Sequence, residues 1–278
     1  YGTGGGPQSS PPPPLLPPRD LPQPQRLTPP AQGAGREAGG VRLHGVKPEG
    51  RATWLGNGGL ALHLFSGAGA GPESLGGSWR RRTGRAARDA DTRANPPTDL
   101  ADDAQLGALL AAARAGEIAY VHAGVPCETW SVARVGAPLR TADEPWGRAD
   151  LSEADAAAVA AANLLMRRAM RIIMAVVAAG GEFSLENPAG RNVAGAIGFW
   201  PAMARYVPLW DMPETQALRA ATGAELLVFP QCAFAAHEGA PQKLTGLLCS
   251  PAFAAAAVEI RAARCTHARH DHRAHGVD

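Results

Sequence analysis

Gly59–Phe65 reads GLALHLF and runs directly into Ser66-Gly67-Ala68-Gly69-Ala70-Gly71. A short, nearly continuous apolar run is the pattern of a buried strand, and the alternating glycines after it predict a tight turn at the strand's end. Such strands belong mostly to parallel sheets, where crossover helices cover both faces. Glycine in the turn lets the backbone approach a ligand closely and leaves amide groups free to bind it.

The same pattern returns further along the chain. Ile118–Ala123 (IAYVHA) is a second buried-strand candidate, broken by Gly124 and Pro126, and Glu182–Glu186 (EFSLE) is a third, ended by Asn187-Pro188. Leu226–Phe229 and Leu244–Cys249 read as two more. Helical spacing separates them. Leu100–Ala115 carries leucine and alanine at helical intervals behind Asp99, an expected N-cap, and Ser152 caps an alanine-rich helix running to Ala179, with Gly180-Gly181 as its stop. Pro251–Ala263 predicts a last helix. Strands alternating with helices imply an α/β fold, a mainly parallel sheet with helices on both faces. In such sheets the loops beyond the C-terminal strand ends hold the ligand. The glycine turn, Pro126-Cys127 and Glu186-Asn187-Pro188 follow three successive strands, so they are expected on one edge.

The flanks differ in composition. Residues 1–50 hold 12 of the 25 prolines and 10 of the 33 glycines of the 278-residue chain, with no apolar period, and predict a flexible arm over residues 1–52. Residues 53–262 are expected to form the folded domain and 263–278 a His/Cys-rich tail. No apolar stretch suits a bilayer crossing and no secretory signal is visible, so a nuclear or cytoplasmic setting is expected, without membrane partners. Four cysteines are too few for a disulfide scaffold and favour a reducing compartment. A net charge of +2 decides little, but Arg80, Arg81, Arg82, Arg85, Arg88 and Arg93 crowd one segment. That cluster reads either as a solvated helix end or as a phosphate-contacting patch.

Cys127, held by Pro126 at a strand end, is a nucleophile if it loses its proton, or else a quiet buried thiol. Glu186 is a carboxylate at the neighbouring strand end, able to share a proton once partly desolvated, or else a loop-capping acid. Asp91 and Asp99 lie downstream of the glycine turn, where a carboxylate can take a ribose hydroxyl or an adenine amine.

Taken in order, His63-Leu64-Phe65-Ser66-Gly67-Ala68-Gly69, Pro126-Cys127-Glu128-Thr129-Trp130-Ser131 and Glu186-Asn187-Pro188 resemble the D-L-F-x-G-x-G, P-C-Q-x-F-S and E-N-V motifs of the DNA cytosine-5 methyltransferases. The runs Pro126–Arg134, Pro138-Leu139-Arg140 and Trp146-Gly147 look closer still to a divergent, mobile-element-associated group of methyltransferase-like proteins. The resemblance implies a Rossmann-like class I fold that binds S-adenosylmethionine. Phe65, Ser66, Gly67, Gly69 and Pro126 would line the cofactor, Asp91 would accept from its ribose, and Asp99 would lie near its adenine. Cys127 would attack carbon 6 of a flipped cytosine and Glu186 would bond its ring nitrogen. Arg134 and Arg140 are the expected nucleic-acid contacts, with DNA favoured over RNA as the partner. His63, Glu128 and Pro188 depart from the family pattern, no Q-x-R-x-R stretch is present, and the expected second strand, Gly84–Asp91 (GRAARDAD), is mostly charged. A catalytically degenerate domain that binds without turnover is the alternative. In the tail, Cys265, His267, His270, His272 and His275 place five potential ligands in eleven residues, as a zinc site or a disordered His-rich end.

Overall fold

Leu60–Leu64 forms the strand its apolar run predicts, β1, and every other strand is placed relative to it. The computed structural model describes residues 59–68, 74–131, 137–194, 201, 204–234 and 243–266. The expected arm, Gly69, Arg134, Trp200 and the tail histidines His267, His270, His272 and His275 lie outside them.

In chain order the elements are β1, α1 (Leu75–Thr83), β2 (Ala87–Ala90), α2 (Asp103–Arg114), β3 (Ile118–Gly124), α3 (Glu153–Ala178), β4 (Glu182–Pro188), α4 (Pro213–Thr222), β5 (Glu225–Pro230), β6 (Leu244–Cys249), α5 (Pro251–Ala256) and α6 (Val258–Ala262). They build one six-stranded sheet in the order β2-β1-β3-β4-β6-β5. The pairs β1–β2, β1–β3 and β3–β4 are parallel; β6 runs antiparallel to both β4 and β5. The fold is thus α/β with a mostly parallel, mixed sheet, an arrangement compatible with a Rossmann-like fold.

Side-chain alternation gives the two faces different chemistry. Leu62, Leu64, Val121, Ala123, Phe183, Leu185 and Leu248 join α2 and α3 in the main core. The long α3 supports that face through Val159, Ala162, Met166, Ala169, Met170, Ile173 and Val176, all buried and spaced at one helical stripe. Each such large side chain stabilises the fold by about 1.5–3 kcal/mol. Ser152 caps α3 as expected, accepting from the Asp155 N–H at 3.2 Å. The opposite face carries the smaller cluster of Leu227, Leu247, Cys249, Ala254 and Ala257, covered by the short α5.

Three local expectations are corrected. Helix α2 is capped by Asp102, whose carboxylate accepts from the Gln105 N–H at 2.8 Å. Asp99 instead accepts from the Ala101 N–H at 2.7 Å in the turn before it. The last helix breaks at Ala257 into α5 and α6. The charged second strand is real because β2 is an edge strand with only Ala90 buried, so its Arg88 stays in water. Among the described residues, no helix is long and apolar enough to cross a membrane.

The chain steps from β1 outward to β2, then crosses back to place β3 on the other side of β1. The strand order reverses between β1 and β3, the position at which open α/β sheets place a ligand crevice beyond the C-terminal strand ends.

Candidate functional site

At the C-terminal end of β1 the backbone turns sharply. Phe65 has φ +60° and Gly67 φ +67°, a left-handed conformation that glycine adopts without steric cost. The Phe65 N–H donates to the Ala90 carbonyl at 2.8 Å. The Gly67 N–H donates to Asp91 Oδ2 at 2.9 Å, while Asp91 Oδ1 accepts from the Arg93 N–H at 2.8 Å. The acid after β2 therefore sets the shape of the turn after β1. Each of its oxygens keeps a lone pair that can accept from a hydroxyl. Ser66 reaches only the Gly67 carbonyl, at 3.4 Å. Among the described residues a Cβ on Gly67 would meet nothing within 4 Å.

The next two loops are tied together from below. Gly124, the last residue of β3, lies in register with Glu186 of β4. Asn187 is fully buried, and its Nδ2 donates to the Val125 carbonyl at 2.9 Å, just before Pro126-Cys127. Trp210 Nε1 donates to the Pro188 carbonyl at 2.8 Å. That indole lies across Gly246 of β6 so closely that a Cβ there would sit 2.5 Å from the ring. The strand ends bearing Cys127 and Glu186 are thereby held at one place on the rim.

Cys127 is a half-buried free thiol. Burial raises its pKa first and Glu128 adds to the rise; Lys243 pulls it down and Glu186 pushes it up again. Lys243, at the foot of β6, was not singled out in the sequence, because a lone lysine in a loop gives no local signal. Its Nζ lies 3.5 Å from Glu186 Oε1, a charge pairing without hydrogen-bond geometry. Lys243 is 45% exposed, so water screens the pair and its worth to stability is below about 1 kcal/mol. Its value is positional: it is the positive charge facing both Cys127 and Glu186.

Arg140, expected at a nucleic acid, is fully buried. It donates to the Thr129 carbonyl and hydroxyl at 3.3 and 3.1 Å, to the Pro145 carbonyl at 2.9 Å and to Asn163 Oδ1 at 2.8 Å. Its guanidinium also lies 4.2 Å above the Trp130 ring. Burial lowers its pKa to about 10, which leaves it charged near neutrality. It is a strut under the Cys127 loop, and five donors in one planar fork suit it to that task. Trp130 is buried beneath it, and Trp146 is half-buried under Arg167.

Tyr206 was also missed. It is buried and bridges to Thr141, and its hydroxyl has no hydrogen-bond partner among the described residues. Burial pushes its phenol far up, Arg140 pulls it down and Cys127 pushes it up, so it lies within electrostatic reach of both.

No protein-family model matches this sequence, and no curated protein matches it. The reading of the site rests on its own geometry and on the motifs quoted above.

Cys265 lies beside the buried Cys232, whose thiol is pushed up by burial and then by that neighbour. Among the described residues no three His, Cys, Asp or Glu side chains converge to hold a metal ion. Cys249 is a buried residue of the smaller cluster.

Proposed function

We propose that this chain binds S-adenosylmethionine at the crevice between β1 and β3 and methylates carbon 5 of cytosine in DNA through Cys127. One observation carries the reading: Asn187 locks the Glu186 strand end to the residue before Pro126-Cys127, next to a glycine turn at the sheet's switch point. The insertion of antiparallel β6 between β4 and β5 is compatible with the class I methyltransferase version of the fold.

The residues present fit the cofactor. Gly67 is uncrowded among the described residues, and Asp91 holds the turn while keeping lone pairs for ribose hydroxyls. When bound, the cofactor supplies an electrophilic methyl group. Cys127, as thiolate, adds to carbon 6 of the base and places electron density on carbon 5. Glu186 passes a proton to the ring nitrogen as negative charge develops there; once carbon 5 carries the methyl group, loss of the carbon 5 proton and expulsion of the Cys127 thiolate restore the ring double bond. Lys243 holds Glu186 in place and favours the thiolate. A base in a stacked duplex cannot reach a cysteine at a sheet rim, so extrusion or a single-stranded substrate is required.

A binding domain without turnover is the competing reading. It is favoured by the raised Cys127 thiol, which burial first, and then Glu128 and Glu186, hold against ionisation. The two separate on covalent capture of DNA carrying a mechanism-based cytosine analogue in the presence of cofactor. A denaturation-resistant adduct lost in Cys127→Ser supports catalysis. Cofactor binding by calorimetry with no adduct supports the competing reading.

A further inference from the structure

The arginine cluster is not used by the site described so far. In the fold the cluster falls on two neighbouring elements: Arg80, Arg81 and Arg82 close the last turn of α1, Arg85 follows its Gly84 cap, Arg88 is exposed on β2, and Arg93 lies just past that strand. Because β2 is the edge of the sheet, the segment that carries all six runs along one border, with Arg88, in register with Leu62, on the α2–α3 side of it. The two acids of the segment lie against His63 and the glycine turn, and Asp89 also lines the cavity beside the edge. Asp89 sits 3.4 Å from His63 Nδ1, and Asp91 accepts backbone N–H groups from Gly67 and Arg93. Among the described residues no ion pair joins Arg80, Arg82, Arg85, Arg88 or Arg93 to a carboxylate.

Two further features shape the surface. Arg85 Nη1 is shielded from solvent without a hydrogen-bond acceptor among the described residues, a costly state for a cation. A cavity of about 230 Å³ runs beside the edge, lined by Gly67, Arg80, Arg88, Asp89, Asn95 and Pro96. It joins the arginine border to the glycine turn. Adjacent strands lie about 5 Å apart, so the β2 border and the end of β3 that bears Cys127 are about 10 Å apart. That is within the reach of a few nucleotides.

We infer that the α1–β2 border is a docking surface for the phosphodiester backbone of the nucleic acid whose base enters the Cys127 site. The inference rests on the methyltransferase reading for the identity of its ligand. Guanidinium groups suit phosphate oxygens by charge and by paired N–H geometry. They contact the backbone and not base edges, so the surface sets affinity and position without reading sequence.

The test uses the full chain and a short labelled single strand, offered as DNA and as RNA of one sequence. Binding is followed by fluorescence anisotropy between about 50 and 200 mM salt. Removing three exposed heads together, Arg82→Ala, Arg88→Ala and Arg93→Ala, is expected to weaken binding at least about tenfold. It is also expected to reduce the slope of log affinity against log salt by about two. The corresponding three lysine substitutions should keep most of the slope, since charge is retained. Thermal midpoint and cofactor binding should stay at the wild-type value in both proteins. Wild-type affinity and slope in the alanine protein, or no binding by the wild type at low salt, overturns the surface. Failure of cofactor binding or of covalent capture alongside a salt-linked loss in the alanine protein sinks the methyl-transfer reading alone. The strand that binds more tightly names the natural backbone.

Discussion

One face of the sheet carries two polar groups at different depths. In the interior, Asp89, His63, His122 and Ser184 stand side by side in register across β2, β1, β3 and β4. They close on one another: His63 sits 3.4 Å from Asp89, its ring meets His122 edge-on at 5.0 Å, and Ser184 Oγ lies 2.7 Å from His122 Nδ1 and 2.6 Å from the Tyr120 hydroxyl. Tyr120 is itself stacked between Trp79 and Phe253. Two residues further along the same strands stand Gly124 and Glu186. There the strands run out, and Glu186 faces Lys243 and Cys127 at a border open to solvent. The lesson is one of depth. Within the sheet Ser184 spends its bonding capacity on Tyr120 and His122 while His63 and Asp89 face each other, whereas Glu186 at the strand end faces a border open to solvent.

If that distinction is right, substitutions at the rim should remove activity and spare stability. Cys127→Ser is expected to lower methyl transfer at least about a thousandfold, with the thermal midpoint and cofactor affinity unchanged. Activity close to wild type in that protein would refute the nucleophile. The converse applies to the interior. Ser184→Ala strips a partner from both Tyr120 and His122, so unfolding in urea should show a loss of about 1–3 kcal/mol. Activity per folded molecule should persist.

Acid should also find the interior row before the rim. Burial, and then His63, hold the His122 pKa down at about 3, and burial lowers that of His63 against the pull of Asp89. Both rings are thus held neutral in the fold, while the unfolded chain takes up protons below its ordinary value of about 6.5. Stability is fully present above that value. It should fall as the pH drops from there towards 3, by up to about 1.4 kcal/mol per pH unit for His122, with the lowered His63 adding in the same direction. Urea midpoints at successive pH values measure this, and His122→Gln should flatten the slope. A slope unaffected by that change would place the acid-sensitive group elsewhere.

The smallest expected effect sharpens the rim itself. Lys243→Gln removes the charge that opposes the rise in the Cys127 pKa. Methyl transfer should slow about three- to tenfold at neutral pH and recover as pH is raised, with the rate profile displaced to higher pH. An unchanged profile would make Lys243 a bystander.

Much of the fold was legible locally. The apolar runs around Leu62, Val121, Leu185 and Leu247 became strands, and Ser152 became the cap of α3, because burial on two faces and capping leave short-range signatures. Asp99 misled because Asp102, three residues on, offers the same carboxylate, and only backbone geometry chooses between them. Arg140 misled for a different reason. An arginine in a loop reads as exposed, yet Thr129 and Pro145 of the same loop region and Asn163 of α3 fold around it to supply acceptors and make its burial tolerable. Lys243 and Tyr206 gave no signal, since what matters about them is their neighbours.

By itself the sequence determined β1, β3, β4, β5 and β6, the helices α2 and α3, and the order in which three distinctive loops leave β1, β3 and β4. Periodicity states which side chains must leave water, and glycine and proline state where the chain must turn. Tertiary structure decided the rest: antiparallel β6 entering between β4 and β5, Lys243 thereby arriving at Glu186, Asn187 reaching Val125, and the arginines gathering along the β2 edge. Those outcomes depend on strand pairing and loop closure between segments far apart in the chain, where the competition among partners is settled by packing and hydrogen bonding across the whole sheet.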